Sequence, residues 1–369
     1  MTTSNSTIQR AKESGNPVMD GNQATFIWEG KHALAIAGDF NNWDSSSTKF
    51  TRVSPRPSTP LRTSLLPASA KSTFTCTLTF PRDVYIEYAF DDPISQKRFL
   101  DPLNRNSLSN GFGGRNNFFY MPEGKSSPLT TRRAGMPAGE VTNHRVSTWM
   151  MDGKGERTVH LYQPPVQERV PLLIVYDGTD YLRRGKLAVI VDNLIAQKRI
   201  HPIAMAFLQN GGPRRSVEYF CSDATLAWLD HEVIPLARRE LNLLDVKRHP
   251  GAYGVLGASA GGLMSLYTGL RMPEIFGKVL TQSGVSSWEG RDFATVDLVK
   301  HKHARDTRIW LDAGIFEWQW LLKDNRRMKS LLRENGYQFV YREYSGGHNF
   351  TSWRNDVWRG LEAMFPGKV

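Results

Sequence analysis

The chain has 369 residues, of which 40% are hydrophobic and 22% charged, a composition typical of a globular protein long enough for more than one domain. No window approaches the roughly 18 consecutive apolar residues of a membrane span, and the polar N-terminus has no apolar signal segment, so the sequence predicts no membrane partner and a cytoplasmic location. The net charge of +11 is scattered rather than gathered in a Lys/Arg tract, which argues against nucleic acid as a partner. The same charge is compatible with attraction of an anionic small substrate or with a merely soluble basic surface.

The N-terminal third predicts a small all-β domain. Residues 1–20 are polar and are expected to form a disordered leader. Short runs of β-branched and aromatic residues follow over residues 21–122, separated by turn residues and not interrupted by a helical period, as in ATFIWEG, HALAIAGDF and VYIEYAF. This pattern is typical of an immunoglobulin-like β-sandwich. Residues 123–141 are rich in Pro, Gly and Ser and predict an interdomain linker.

From residue 142 to residue 369 strands and helices alternate. PLLIVYDG, IAMAFLQN and AYGVLGAS predict buried strands, whereas ATLAWLDHEVIPLARREL has the spacing of an amphipathic helix. The alternation predicts an α/β domain with a mainly parallel sheet covered by helices on both faces. In such a sheet the reactive groups lie at the carboxyl ends of the strands.

Ser259 is the candidate nucleophile. Residues 257–261 read Gly-Ala-Ser-Ala-Gly and match the G-x-S-x-G pattern, between the apolar run AYGVL and the helical segment GLMSLYTGLRM. A nucleophile elbow requires this strand–turn–helix context, with small residues where strand and helix approach each other. The backbone N–H of Ala260 would then donate to an oxyanion, and a second donor is expected at Gly178 or Thr179, after the strand PLLIVYD.

Chain order places an acid and then a histidine after the serine. His348 follows a late strand and two glycines, whereas His301 and His303 lie in the polar segment LVKHKHARD. Asp312, expected at the end of the strand RIWL, and Glu317, in the loop beyond it, both qualify as the acid that would orient the imidazole. Glu317 is favoured because its loop is expected to face the histidine.

No cofactor is needed for this chemistry, and no metal site is visible in the sequence. The two cysteines, Cys76 and Cys221, are far apart and fall in different predicted domains. They predict free thiols rather than a disulfide framework or a zinc site.

At this point the sequence resembles the enterochelin (enterobactin) esterase family of the esterase D-like α/β-hydrolases. The ordered motifs are PLLIVYDG, DNLIAQKRIHP, GASAGGLMSL, LTQSGVSSW, LDAGIFE and SGGHNFTSW. The resemblance implies a serine ester hydrolase that cleaves a siderophore-type ester through an acyl-enzyme. It implies Glu317 as the acid, where many relatives carry Asp, and Arg214 in an arginine-rich loop that receives an anionic ferric siderophore.

The N-terminal region resembles the early-set β-sandwich that precedes these esterases and serves elsewhere as a glycan-binding module. The segments that carry the resemblance are AIAGDFNNW, YIEYAF and GRNNFFY. Trp28, Trp43 and Tyr88 could stack on a sugar, although burial in the core is expected for at least two of them. The alternatives are a feruloyl or acetyl esterase acting on decorated carbohydrate, which the missing secretion signal disfavours, and a binding protein that kept the fold without the activity.

Overall fold

The computed structural model describes residues 5–53, 72–111, 113–152, 155–301 and 306–367. The chain divides into two compact units. The first comprises residues 1–125, 315–318 and 345–347, and the second comprises residues 126–314, 319–344 and 348–369.

The first unit contains two β-sheets around one apolar cluster. One sheet has the strand order β1 (Val18–Asp20), β2 (Gln23–Gly30), β5 (Ser72–Thr79) and β4 (Thr51–Arg52). The other has the order β3 (Ala35–Gly38), β6 (Tyr85–Asp92), β9 (Arg115–Tyr120) and β8 (Ser107–Ser109), with β7 (Lys97–Phe99) paired to β6. Phe26 of β2 packs edge-to-face on Tyr88 of β6, with ring centroids 4.9 Å apart, so side chains of both sheets meet in the cluster. Tyr88 is fully buried and its hydroxyl donates to Asp101 at 2.7 Å. Tyr88 is therefore core and not a sugar platform.

The structure differs from the expected leader. Residues 5–14 form a helix, and Ala11 of that helix is buried against Val18 and Ile27. The side chain of Asn16 then donates to the backbone of Ile27 at 2.8 Å and accepts from it at 3.0 Å. The sequence pattern does not predict this helix, because very few apolar side chains pack it against the sheet. Residues 1–4 of the expected leader lie outside the described residues.

The elements of the first unit are α1 (Asn5–Ser14), β1 (Val18–Asp20), β2 (Gln23–Gly30), β3 (Ala35–Gly38), β4 (Thr51–Arg52), β5 (Ser72–Thr79), β6 (Tyr85–Asp92), β7 (Lys97–Phe99), β8 (Ser107–Ser109) and β9 (Arg115–Tyr120).

The second unit is organised by an eight-stranded sheet. Its strand order is β10 (Glu140–Ser147), β11 (Glu156–Gln163), β13 (Ala204–Leu208), β12 (Leu172–Val175), β14 (Tyr253–Ala258), β15 (Phe276–Gln282), β18 (Arg308–Phe316) and β19 (Gln338–Gly347). Its central strands β13, β12, β14, β15 and β18 pair in parallel, whereas β10 and β11 pair antiparallel at one edge. The carboxyl ends of the parallel strands therefore meet at one edge of the sheet, where loops can present reactive groups.

Both faces of this sheet are covered. Successive side chains of a strand point to opposite faces. Leu172 and Ile174 of β12 accordingly join one apolar cluster, which includes residues of the helix α8 (Ala260–Arg271). Leu173 and Val175 join the other cluster, which includes residues of the helices α4 (Leu187–Ala196) and α11 (Phe350–Met364). Continuous apolar strands such as LLIV are explained by this double burial.

The expected linker is partly built into the second unit. Residues 128–130 form a short 3₁₀ turn, and Leu129 is buried in the cluster that contains α4. Asn193 of α4 donates its side-chain amide to the carbonyl of Leu129 at 2.8 Å. Residues 126–141 therefore group with the second unit instead of forming a separate connection.

The elements of the second unit are β10 (Glu140–Ser147), α2 (Trp149–Asp152), β11 (Glu156–Gln163), β12 (Leu172–Val175), α3 (Gly178–Arg183), α4 (Leu187–Ala196), β13 (Ala204–Leu208), α5 (Arg215–Tyr219), α6 (Asp223–Trp228), a π-helical turn (Leu229–Val233), α7 (Ile234–Glu240), β14 (Tyr253–Ala258), α8 (Ala260–Arg271), β15 (Phe276–Gln282), β16 (Ser287–Trp288), β17 (Arg291–Asp292), α9 (Ala294–His301), β18 (Arg308–Phe316), α10 (Gln319–Glu334), β19 (Gln338–Gly347) and α11 (Phe350–Met364), β18 and β19 each ending in residues of the first unit. Among the described helices none is long and apolar enough to cross a membrane.

Candidate active site

Ser259 lies in a sharp turn between β14 and α8. Its backbone has φ 57° and ψ −124°, outside the regions that side-chain-bearing residues normally adopt. The turn is held by hydrogen bonds from the Ser259 N–H to the carbonyl of Gln282, at 2.9 Å, and from the Leu263 N–H to the carbonyl of Ser259, at 3.1 Å. A conformation of this kind costs roughly 1–3 kcal/mol and persists only where the surroundings enforce it. Its neighbours Ala258 and Ala260 are buried, whereas Ser259 is half-buried.

The glycines around Ser259 allow the strand and the helix to approach. A Cβ on Gly257 would lie 2.2 Å from the carbonyl oxygen of Gly261, and one on Gly262 would lie 2.6 Å from Oγ1 of Thr281. Both distances are well inside van der Waals contact, so no larger residue fits without displacing backbone. The structure thus has the close strand–turn–helix packing that the motif requires.

The expected oxyanion donors begin two helices. Ala260 is the first residue of α8, and Gly178 and Thr179 are the first two residues of α3, so their N–H groups have no partner within their helices. The two helices follow the neighbouring parallel strands β14 and β12. A Cβ on Gly261 would lie 3.0 Å from Oδ2 of Asp177, the residue before α3, so the structure brings these two turns together.

An ion pair between buried Asp177 and half-buried Arg215 braces the turn before α3. Asp177 has left-handed backbone geometry, with φ 50°, and its carboxylate accepts from Nε and Nη2 of Arg215 at 2.7 and 2.6 Å. Asn210 donates to the same carboxylate at 2.6 Å, and the Asp177 N–H donates to the hydroxyl of Tyr219 at 3.0 Å. Nη2 of Arg215 also donates to the carbonyl of Ala258, the residue before Ser259, at 3.4 Å. This network fixes the turn before α3 relative to the turn at Ser259.

The sequence reasoning missed Arg215. It chose the neighbouring Arg214, which is exposed at the end of a 3₁₀ turn, as the substrate-binding residue. Two consecutive arginines carry no periodic signal that separates a structural side chain from a functional one. The role of Arg214 stays a prediction.

We expect Asp177→Asn to lower the free energy of unfolding by about 3 kcal/mol, because it leaves the half-buried guanidinium of Arg215 without its bidentate partner. Urea unfolding measures this loss. Asp180→Asn is the matched control, since Asp180 forms a more exposed pair with Arg184 at 3.3 Å and should change stability by less than about 1 kcal/mol. Equal effects of the two substitutions would contradict a bracing role for Asp177.

His348 is placed at the same edge of the sheet as Ser259. It follows β19 directly and precedes Asn349, whose side chain caps α11 by accepting from the Ser352 N–H at 2.8 Å. The His348 ring packs edge-on against Trp353, with centroids 4.9 Å apart. Trp353 in turn donates to the Ser283 hydroxyl at 2.9 Å, and its carbonyl accepts from Gln282, the residue bonded to the backbone of Ser259. The alternative His301 is exposed at the end of α9, and His303 lies outside the described residues.

Asp312 does not lie at a strand end, which corrects the expectation. It is the fifth residue of β18, which runs from Arg308 to Phe316, and it is fully buried. Its Oδ2 accepts from Nε1 of Trp310 at 2.6 Å, whereas its Oδ1 has no hydrogen-bond partner among the described residues. Burial raises the pKa of this carboxyl well above its ordinary value, and the charge of Asp356 raises it further. A raised pKa disfavours the charged form of the carboxyl, which makes it less suited to stabilise an imidazolium.

Glu317 follows β18 directly and is buried. It belongs to the segment 315–318, which groups with the first unit. In that unit burial raises the pKa of Asp39 well above its ordinary value, and the charges of Glu87 and Glu317 add to the effect. The position of Asp39 also explains Gly347, because a Cβ there would lie 2.4 Å from Cγ of Asp39.

Most of the second unit matches a known protein family. A family model described as "Putative esterase" matches residues 151–364, more than half of the chain. The chain belongs to this esterase family.

Curated relatives of this esterase-family chain include two iron(III) enterobactin esterases. The protein from Dickeya dadantii is 28% identical over 72% of the chain and 65% of its own length. The protein from Escherichia coli K12 is 26% identical over 71% of the chain and 66% of its own length. The match therefore spans slightly less than two thirds of these relatives.

Solved structures of the same class share the fold. The ferric enterobactin esterase from Salmonella typhimurium has a TM-score of 0.77 at 19% identity, covering 97% of this chain and 98% of that one. The enterobactin esterase from Shigella flexneri, solved in the presence of enterobactin, has a TM-score of 0.74 at 20% identity and covers 98% of both chains. The esterase-family chain therefore has an α/β-hydrolase-like fold.

The described residues include no group of three or more His, Cys, Asp or Glu side chains that could hold a metal ion. Cys76 and Cys221 are free, and burial raises the pKa of each thiol to about 11. Thiols with such pKa values are poor nucleophiles at neutral pH because almost none is ionised.

Asp312→Asn should change the pH dependence of stability. The raised folded-state pKa of Asp312 means that its contribution to stability is complete below the unfolded-state pKa of about 3.9 and is lost as pH rises through the folded-state value. Asparagine is neutral at every pH. We therefore expect the Tm of Asp312→Asn relative to the unsubstituted esterase to increase between about pH 4 and about pH 8 in thermal scans at constant ionic strength. A Tm difference that is independent of pH would show that Asp312 is ionised in both states.

Proposed function

We propose that the chain hydrolyses an ester of a catechol-bearing, enterobactin-type siderophore through an acyl-enzyme on Ser259. The observation that carries the proposal is the strained conformation of Ser259 between β14 and α8, with φ 57° and ψ −124°. Membership of the esterase family and the names of the relatives, iron(III) enterobactin esterases, support the reaction class and the substrate.

In the first half of the reaction Oγ of Ser259 attacks the ester carbonyl carbon while His348 accepts the hydroxyl proton. The carbonyl oxygen becomes an oxyanion that accepts hydrogen bonds from the Ala260 N–H and from the N–H of Gly178 or Thr179. Thr179 suits this role better, because Gly178 is pressed against β13, where a Cβ would lie 2.3 Å from the backbone of Leu208. Collapse of the intermediate breaks the ester C–O bond, and His348 returns the proton to the leaving alcohol.

In the second half a water molecule replaces the alcohol. His348 takes a proton from this water, the hydroxide attacks the acyl carbon, and Ser259 leaves with the proton that His348 returns. Glu317 holds the imidazole tautomer and stabilises the imidazolium in both halves. Glu317 is preferred to Asp312 because Asp312 lies inside β18 with a raised pKa.

The charge of the chain is consistent with an anionic ferric siderophore as the substrate. A net charge of +11 raises the local concentration of anions and their rate of encounter. Arg214, exposed in the loop after β13, is the proposed contact for such a ligand.

The first unit is proposed to be an early-set β-sandwich spanning residues 21–122, and the second an α/β-hydrolase domain with a mainly parallel sheet. The two sheets of the first unit and the apolar cluster to which both contribute support the sandwich. Trp43 remains the candidate for sugar stacking, because Trp28 packs against the core and donates to the carbonyl of His32 at 3.0 Å. Trp43 already has the guanidinium of Arg98 over its ring, 5.4 Å from the centroid.

The substrate is tested by comparing kcat/KM for iron-free enterobactin, ferric enterobactin and methyl ferulate, with release of 2,3-dihydroxybenzoyl-serine followed by chromatography. We expect both forms of enterobactin to be cleaved with kcat/KM at least about 100-fold above methyl ferulate, a difference of about 2.7 kcal/mol in transition-state binding. Ser259→Ala is the control for contaminating esterases.

Preference for methyl ferulate, together with retention on a glucan column, would overturn the siderophore assignment in favour of a carbohydrate esterase. Ferulic acid esterases are more distant in structure, as in the enzyme from Anaeromyces mucronatus, with a TM-score of 0.52 at 14% identity over 64% of this chain and 94% of that one. Binding of all three esters without turnover would instead favour the non-catalytic alternative.

A further inference from the structure

An aromatic cavity in the second unit has no role in the chemistry described so far. It is an open cavity of about 600 Å³ between the β16–β17 hairpin and α10. Trp288 of the hairpin and Trp320 of the helix line it, with their ring planes at 85° and their centroids 5.5 Å apart. Large aromatic side chains are normally buried, yet these keep 49% and 41% of their surface exposed.

Hydrogen bonds and an ion pair tie the hairpin of this cavity to α10. Asp324 of α10 is buried, and its carboxylate accepts from the N–H groups of Ser286 and Ser287 at 2.7 and 2.9 Å. Arg327, one turn further along α10, donates through both terminal nitrogens to the carboxylate of Asp292 on β17. The hairpin is thus fixed to the helix at both of its strands, which limits the relative movement of the two elements that carry the indole rings.

The polar groups of the cavity suit a ring that carries hydroxyl groups. Asp324 and Arg327 are engaged in holding the hairpin, which leaves Lys323 and Glu289, both exposed in the lining. An ammonium donates to a phenolate or hydroxyl oxygen, and a carboxylate accepts from a phenolic O–H. Two perpendicular indoles offer one face and one edge to a planar ring, the geometry that aromatic groups prefer.

The cavity lies near the nucleophile. Gly284 packs against the helix that follows Ser259, because its Cα is 3.0 Å from the position that a Cβ on Gly262 would take. Ser287, in the cavity lining, is three residues further along, and a fully extended chain covers at most about 3.6 Å per residue, or about 11 Å here. This short chain separation is the reason for assigning the cavity and Ser259 to one substrate that carries several aryl arms.

We propose that this cavity is an aryl subsite that binds one hydroxylated aromatic ring of the ester substrate, with Trp288 and Trp320 as the stacking surfaces and Lys323 as the hydrogen-bond donor. The inference rests on the proposed function in one respect, that the ring belongs to the ester attacked by Ser259. It adds a determinant of specificity separate from the reacting groups.

Binding is tested by calorimetric titration of the full chain carrying Ser259→Ala with 2,3-dihydroxybenzoyl-serine and with 2,3-dihydroxybenzoate. Adding Trp320→Ala should raise the Kd for both ligands about fivefold, as expected for the loss of one aromatic pair. Lys323→Ala, at an exposed position, should raise it as well, and Trp320→Phe should restore most of the affinity. Trp149→Ala is the matched control, because Trp149 is 57% exposed but its ring nitrogen donates to Glu232, outside the cavity lining.

The kinetic readout is the ratio of kcat/KM for enterobactin to kcat/KM for p-nitrophenyl acetate, which should fall about fivefold in Trp320→Ala and stay constant in Trp149→Ala. An unchanged Kd in Trp320→Ala and Lys323→Ala, or absence of binding of both ligands at millimolar concentration, overturns the subsite. Loss of the proposed function is a different result. In that case the unsubstituted chain cleaves p-nitrophenyl acetate but not enterobactin, whatever the titration shows.

Discussion

Ser259→Ala is expected to lower kcat for p-nitrophenyl acetate by about 10⁴-fold or more, the loss that accompanies removal of a serine nucleophile. The expectation rests on the turn between β14 and α8, which gives Ser259 its strained backbone and leaves the side chain half-buried among buried neighbours. Without the hydroxyl no acyl-enzyme forms, so labelling by a fluorophosphonate probe should also disappear. Steady-state kinetics measure the fall in kcat, and mass spectrometry of the labelled peptide measures the loss of labelling.

Ser265→Ala is the matched control. Ser265 lies on the same helix, but it is fully buried and donates to the carbonyl of Gly261 at 2.9 Å. We expect this variant to label as the unsubstituted chain does. A Ser259→Ala variant that still forms the labelled adduct, or turns over within tenfold of the unsubstituted chain, would show that a different group attacks the ester.

The elbow could be predicted from sequence because its determinants are local. Gly257, Gly261 and Gly262 are needed within a few residues of one another, and apolar periodicity marks the strand before them and the helix after them. The position of His348 depends on local signals too, since a strand, two glycines and a helix cap follow one another in the chain, whereas its role as the base stays a prediction.

The brace formed by Asp177 and Arg215 could not be predicted in this way. Its members lie 38 residues apart and meet only because β12 and β14 are neighbours in the sheet. An Asp or an Arg in a sequence does not indicate which residue it will pair with, and the neighbouring Arg214 was chosen as the functional arginine instead of Arg215. The pairing of distant polar residues depends on the tertiary fold, which periodicity does not specify.

The sequence also failed to predict two local features, the full length of β18 and the helix α1. The apolar run RIWL predicts a strand that ends at Asp312, yet β18 continues through Asp312 to Phe316. The Trp310 indole, two residues earlier, donates to one oxygen of the buried carboxyl. The helix α1 was missed because its sequence is polar, and packing of Ala11 against β1 and β2 stabilises it in place of strong helix propensity.

Glu317→Gln is the second substitution for which a large loss is expected, about 10³- to 10⁴-fold in kcat with little change in KM. Glutamine keeps the size of the side chain but cannot stabilise the positive imidazolium of His348, and its amide can hold the ring in the wrong tautomer. Steady-state kinetics with p-nitrophenyl acetate measure the loss, and an unchanged Tm shows that the fold is intact.

Asp312→Asn is the comparison that decides which carboxylate acts as the acid. Because Asp312 is buried within β18 and burial raises its pKa, the neutral asparagine reproduces the state that the folded protein favours, and kcat should fall by less than about tenfold. A loss in Asp312→Asn larger than that in Glu317→Gln would transfer the role of the acid to Asp312, and would require its carboxyl to be ionised despite burial. Such ionisation would also remove the pH-dependent gain in Tm expected for Asp312→Asn. The kinetic and the thermal measurements therefore test one physical property, the charge of Asp312 in the folded chain, and they must agree if Glu317 is the residue that orients His348.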